Sequence, residues 1–228
     1  MTEAFVPRLD ILPAPQRRLW SELAEIPAEF VLYGGTAIAL HLGHRQSVDF
    51  DFFADRSFDP AKLVGCIPFL ADSTITQMQA DTVSGIVDRG GAVKISFFGL
   101  PGIARLEPPH LATDNRLQIA SLLDLAGTKA SVVQQSAEAK DYIDIDALLT
   151  DGRINLPTAL SSAKAIYGQL FNPQITLKAL SYFDDGNLRQ LPPAMKDRLA
   201  KAAREVDLDR LPSLAVERDP NRDRRLGR

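Results

Sequence analysis

Two aspartates one residue apart, Asp49 and Asp51, lie in the alternating run V-D-F-D-F-F, and thirteen residues separate them from a Gly34-Gly35 pair. Successive side chains of a strand point to opposite faces. Both carboxylates would then leave one face about 7 Å apart at their Cα atoms, while Val48, Phe50 and Phe52 enter a core. Carboxylates that close raise each other's pKa unless a cation lies between them. Hard oxygen donors suit Mg2+ or Mn2+ rather than Zn2+, and Mg2+ usually completes such a site with substrate phosphates. Gly34 and Gly35 let the backbone approach a ligand, and a helix over 36–41 would turn its first N–H groups toward an anion. The chemistry these residues fit is metal-assisted handling of a phosphorylated substrate.

Taken singly, the pieces have plainer readings. A V-D-F-D-F strand with outward acids also fits a half-solvated edge strand, and Gly-Gly also fits a simple turn. Their conjunction with His44, Arg45 and Ser47 follows the order that a phosphate and metal site needs. The spacing from Gly34-Gly35 to Asp49-Phe50-Asp51 resembles the signature of the DNA polymerase β-like nucleotidyltransferases. The fuller run G-G-T-A-I-A-L-H-L-G-H-R-Q-S-V-D-F-D-F-F is similar to the AbiE-type (AbiEii/AbiGii) toxin nucleotidyltransferases.

That resemblance implies an α/β (α+β) fold in which a mixed sheet flanked by helices is followed by a helical subdomain. It implies an enzyme that moves a nucleotidyl group from an NTP to an acceptor, releasing pyrophosphate and needing Mg2+ or Mn2+. The family's example makes the acceptor a tRNA 3′ end, the enzyme a toxin, and a separately encoded antitoxin its partner. Asp49 and Asp51 would hold the metal, and Gly34, Gly35, Thr36, Arg45 and Ser47 would seat the nucleotide. Lys129, in D-L-A-G-T-K, matches a family lysine that holds the nucleotide phosphates, and Asp141, in K-D-Y-I-D-I, matches the motif K-D-x-x-D-h. There Asp141 would orient Lys129 or the acceptor hydroxyl. On pattern alone Lys129 is either a snorkelling stem on an apolar helix or a cation aimed into a cleft. Asp141 and Asp144, three apart on one helix face, also fit a solvated acidic face.

The sequence departs from the pattern in one place. In polymerase β-like enzymes a third carboxylate often comes from a later strand, and the matching position in V-K-I-S-F-F holds Ser96. Lys94 shares that face, either meeting a phosphate or standing in solvent.

The elements that must position these residues can be read around them. Residues 15–26 repeat Leu19, Trp20, Leu23 and Ile26 at helical spacing, and Pro27 stops that helix before a short buried strand over 30–33. A helix over 57–70, opened by Pro60, should pack through Leu63, Val64, Ile67 and Leu70, with Asp55 and Asp59 as caps or surface acids. Strands are expected at 74–78, 82–87 and 92–98, with Gly90-Gly91 turning between the last two. A linker over 99–110 leads to a brief strand at 116–119. Helices are expected at 122–134, 137–150, 156–170, 175–182 and 193–206. The expected organisation is a nucleotidyltransferase sheet subdomain over 1–118, a helical subdomain over 119–216 and a charged tail over 217–228 rich in arginine.

Composition narrows the functional classes. The 228 residues are 45% hydrophobic, enough for a substantial core. A net charge of −3 excludes a globally basic nucleic-acid binder and leaves any RNA contact to a local surface. Cys66 is the only cysteine, which excludes an intramolecular disulfide and a cysteine metal cluster, and its apolar segment predicts a buried packing role. His41, His44 and His110 lack the spacing of a zinc site. With no basic-then-apolar leader pattern and no long apolar span, the expected location is the cytoplasm, away from membrane. Two other readings fit the same residues: a small-molecule nucleotidyltransferase of the aminoglycoside-modifying kind, and a degenerate nucleotide-binding or partner-binding module.

Overall fold

The computed structural model describes residues 5–150 and 154–216. The tail expected at 217–228 lies outside the described residues. Two compact units are present: one runs to Gly102 and takes in Pro109–Leu125, and the other has Ile103–Pro108 and the chain from Ala126 onward.

The first unit contains α1 (Ala14–Leu19), β1 (Val31–Tyr33), α2 (Gly34–Leu42), β2 (Asp49–Ala54), α3 (Pro60–Cys66), α4 (Pro68–Ala71), β3 (Thr74–Gln79), β4 (Thr82–Asp88), β5 (Ala92–Gly99), β6 (His110–Leu111) and β7 (Gln118–Ile119). The strands form one mixed sheet in the order β3-β4-β5-β2-β1-β7-β6. Strand β2 lies between β1, to which it is antiparallel, and β5, to which it is parallel. Its inward residues Phe50 and Phe52 are fully buried, and Phe52 stacks on Phe97 of β5 with ring centroids 5.2 Å apart. Phe30 meets Phe97 edge-on, also at 5.2 Å. Each such ring contributes about 2–3 kcal/mol of burial, so the strand bearing Asp49 and Asp51 is anchored from its opposite face.

The stripe Leu19, Trp20, Leu23 and Ile26 is buried as its spacing predicts, although the chain tightens from α1 into a 3-10 turn over Trp20–Glu25. Trp20 Nε1 donates to Asp114 Oδ2 at 2.7 Å. Asp59 caps α3, accepting from the backbone N–H groups of Ala61 and Lys62.

Four local expectations are corrected. Val48 is 53% exposed rather than in the core. Ladder pairing of β2 begins only at Asp49, so strand alternation does not yet govern the residue before it, and Gln16 Nε2 holds its carbonyl at 2.8 Å. Cys66 is exposed: it ends a seven-residue helix that buries only Leu63. The helix expected over 57–70 is two helices, because Pro68 has no N–H to continue the first and Ile67 before it turns extended. Within the expected linker, His110 and Leu111 form β6 against β7.

Helix α5 (Leu122–Val132) contains the division between the units, and Ser121 Oγ accepts from the Asp124 N–H at 3.1 Å while its hydroxyl bonds the Asp124 carboxylate at 2.7 Å. The second unit continues with α6 (Ala139–Thr150), α7 (Leu156–Tyr167), α8 (Pro173–Ala179) and α9 (Pro193–Arg204). Gly127 lets α5 and α7 pack closely, since a Cβ there would lie 2.8 Å from the Ser162 backbone.

Candidate active site

In the first unit the site is built on the β1–α2 junction and on β2. Asp49 and Asp51 are half-buried and alternate with the buried Phe50 and Phe52, so the two carboxylates share the outer face of the sheet. Asp51 pairs with Tyr33 across β1–β2 and with Ser96 across β2–β5, and Asp49 pairs with Lys94. Residues in register on neighbouring strands point to the same side. Ser96 therefore occupies the position beside Asp51 from which a third carboxylate would project, and its Oγ lies 3.2 Å from Ser84 Oγ of β4.

Gly34 opens α2 with φ +74, and a Cβ on it would stand 3.2 Å from Asp51 Oδ2. Any other residue would carry backbone strain and crowd the carboxylate. The following turn is braced from within. Thr36 Oγ1 donates to the Asp49 carbonyl oxygen and lies 2.7 Å from Ser47 Oγ. A hydroxyl has one proton, so the Ser47 O–H supplies the second bond. Thr36 and Ser47 are both buried, and through them the start of α2 is tied to the start of β2. Arg45 is half-buried and donates from Nη1 to the Gln46 carbonyl at 2.9 Å. Gly34, Gly35, Thr36, Ser47, Asp49 and Asp51 are thus held in one small region of the first unit.

In the second unit Lys129 of α5 meets two carboxylates of α6. Its Nζ lies 2.8 Å from Asp141 Oδ1 and 2.9 Å from Asp144 Oδ2. Ser136 Oγ donates to Asp141 Oδ2 at 2.7 Å. Lys129 is 6% exposed, Asp141 4% and Asp144 0%. The solvated-face reading of these acids is thereby excluded, because charges buried this deeply persist only when paired and hydrogen-bonded. Tyr142, next to Asp141, has its phenol pushed up to about 12, by burial first and then by the charges of Asp141 and Asp185. One turn on, Asp146 receives a fork from Arg198 of α9 at 2.6 and 3.0 Å, which holds the guanidinium above its usual pKa.

Sequence reasoning missed Ser136 and Arg198. A lone serine in a loop carries no signal, and a partner 52 residues away is visible only in three dimensions. Among the described residues no group of three or more His, Cys, Asp or Glu side chains is arranged to hold a metal ion. No helix among them is long and apolar enough to cross a membrane.

A mixed sheet with flanking helices, carrying a glycine turn against paired outward aspartates, is the arrangement that the resemblance to nucleotidyltransferases implies. The model of the nucleotidyl transferase AbiEii toxins of type IV toxin–antitoxin systems matches residues 18–222, and the chain belongs to that family. A curated relative, uncharacterized protein aq_aa25 of Aquifex aeolicus (strain VF5), is 31% identical over 159 residues, which are 69% of this chain and 75% of the relative. Among solved structures, MenT4, the nucleotidyltransferase toxin Rv2826c of Mycobacterium tuberculosis H37Rv, superposes with a TM-score of 0.57 at 15% identity, covering 83% of each chain. An H. pylori protein taken to be a nucleotidyltransferase superposes with a TM-score of 0.51 at 18% identity, covering 83% of this chain and 90% of its own. At these identities the two structures speak for the fold alone.

Proposed function

We propose that this nucleotidyltransferase is metal-dependent and moves a nucleotidyl group from an NTP to the 3′ end of a tRNA, as the toxin partner of a separately encoded antitoxin in the cytoplasm. The observation that carries the reading is the outward Asp49 and Asp51 pair, with the Gly34 backbone placed directly against Asp51.

The donor set fits one Mg2+ or Mn2+ rather than a fully protein-made cage. Two carboxylates on one strand face, with a serine where a third would stand, leave the rest of an oxygen shell to water and substrate phosphates. Asp49 and Asp51 would hold the ion, which when bound neutralises phosphate charge and makes the acceptor hydroxyl a better nucleophile. Gly34 and Gly35 would present backbone N–H groups at the start of α2 to the triphosphate. The Thr36 and Ser47 pair keeps that turn against β2, and Arg45 adds a cation. Lys129, oriented by Asp141, is the residue we assign to the phosphate charge, in keeping with the family's lysine. The acceptor hydroxyl then displaces pyrophosphate from the α-phosphorus. In this reading residues 1–118 carry nucleotide and metal chemistry, and the helical residues 119–216 supply Lys129 and Asp141.

The test is incubation with Mg2+, each labelled NTP in turn and total tRNA, resolved on a denaturing gel beside Asp49→Asn and Asp51→Asn. Label on tRNA that requires both acids is the expected result. Label that appears only with a small hydroxylated acceptor would replace the tRNA assignment, and no transfer to any acceptor despite NTP binding would overturn turnover on NTP.

A further inference from the structure

The outer face of the β2–β5 pair holds one charged side chain that this reading does not use. Lys94 stands abreast of Asp49 in the parallel register, as Ser96 stands abreast of Asp51. Neighbouring strands lie about 4.8 Å apart and in-register side chains point the same way, so Lys94 emerges beside the carboxylate pair, exposed. Across β4 its register partner is Ile86, so Asp49 is the charged neighbour in its row of these three strands. Opposite charges so placed ordinarily pair. Among the described residues, however, no ion pair or hydrogen bond engages either the Lys94 ammonium or the Asp49 carboxylate.

The charge balance of the face gives that arrangement a use. Asp49 and Asp51 offset a divalent ion, and the neutral Ser96 and Ser84 continue the Asp51 row, so neither group answers the charge of a triphosphate. Lys129 has three N–H donors, and two are directed at Asp141 and Asp144, so one remains for the phosphate role proposed above and a further cation would share that charge. We propose that Lys94 is a phosphate-binding residue of the transfer site, donating to the triphosphate of the bound NTP. This rests on the proposed function above and extends it by a binding residue on β5. The lysine stays clear of Asp49 so that the carboxylate is available to the metal and the ammonium to the phosphate.

The experiment is equilibrium binding of each labelled NTP with Mg2+ to the unaltered protein, Lys94→Gln and Lys94→Arg, with inorganic tripolyphosphate as competitor. Loss of one charge-assisted contact predicts affinity weaker by about tenfold or more in Lys94→Gln, with most of it retained in Lys94→Arg. Tripolyphosphate should compete less well by the same factor, and thermal unfolding of Lys94→Gln should match the unaltered protein because the side chain is exposed. The burden should fall on KM for NTP rather than on kcat. Unchanged NTP affinity in Lys94→Gln would overturn the assignment while leaving the proposed function standing. Weakened NTP binding with unchanged tripolyphosphate competition would also overturn it, since the contact would then not be to phosphate. Failure of the unaltered protein to bind any NTP would overturn both.

Discussion

Two acidic clusters in this molecule are built on opposite principles. Asp49 and Asp51 sit half-exposed on the outer face of a strand whose inner face is locked into the core. Asp141 and Asp144 are buried, and a lysine 2.8 and 2.9 Å away satisfies both. The first cluster turns its carboxylates to the outer face of the sheet, the arrangement on which the proposed metal binding rests. The second already contains its cation, so it contributes order before it contributes chemistry. Acids clustered in sequence therefore say little until burial and partners are known.

The sharpest way to break that contrast is to neutralise each cluster and compare activity with stability. Asp51→Asn and Asp49→Asn should each lower nucleotidyl transfer by about a thousandfold or more, since a metal supplies several kcal/mol at the transition state. Their unfolding free energies should stay within about 0.5 kcal/mol of the unaltered protein, as expected for a surface substitution. An Asp51→Asn variant that unfolds readily would make the outer pair structural as well.

Lys129→Met should lower stability as well as activity. Removing the lysine strands two buried carboxylates and should cost about 3–5 kcal/mol in denaturant unfolding. Adding Asp141→Asn and Asp144→Asn to it should recover part of that loss, because the stranded charges disappear. Equal stability of Lys129→Met and the unaltered protein would place the cluster in contact with water.

Gly34→Ala sharpens the first cluster. With φ at +74 and the new Cβ 3.2 Å from Asp51 Oδ2, a cost of about 1–2 kcal/mol is expected from the backbone alone. Its transfer activity should fall further than its stability, read by steady-state rates beside a thermal melt.

A further effect is confined to alkaline pH. The Tyr142 phenol has an ordinary value of 10.0 and is raised to about 12 in the folded chain. Between those values the folded state binds the proton that the unfolded state has released. Its contribution to stability is therefore complete below pH 10.0 and is lost as pH rises toward about 12. Tyr142→Phe should flatten that alkaline decline by one proton. Asp141→Asn should lower the Tyr142 titration followed by absorbance, because one of the two charges that raise it is gone.

Much of this was legible in the sequence because its signals are local. Strand alternation placed Phe50 and Phe52 inward with the two aspartates outward, and glycines marked the turns at residues 34–35 and 90–91. The three strands over 74–99 and the long helices emerged with boundaries shifted by a few residues. The local misses have local causes: Val48 lies before the ladder begins, Pro68 divides a helix, and Cys66 is on the outer side of a helix that buries only Leu63. The state of Lys129 was open on pattern, since a snorkelling stem and a cation aimed into a cleft share the same helical context.

The sequence by itself determined the inventory: a glycine turn, a hydroxyl at Ser47, two acids one residue apart, and a family-like order among them. Strand and helix periods are properties of a few consecutive residues, so they need no distant partner to be read. Only the tertiary structure decided which charges are buried against a partner and which stand at the surface. It set Lys94 abreast of Asp49 and Ser96 abreast of Asp51, and it closed Lys129 onto Asp141 and Asp144. Those pairings depend on sheet register and helix packing between segments separated in the chain. Electrostatic state follows from such distances and from burial, neither of which a linear string contains.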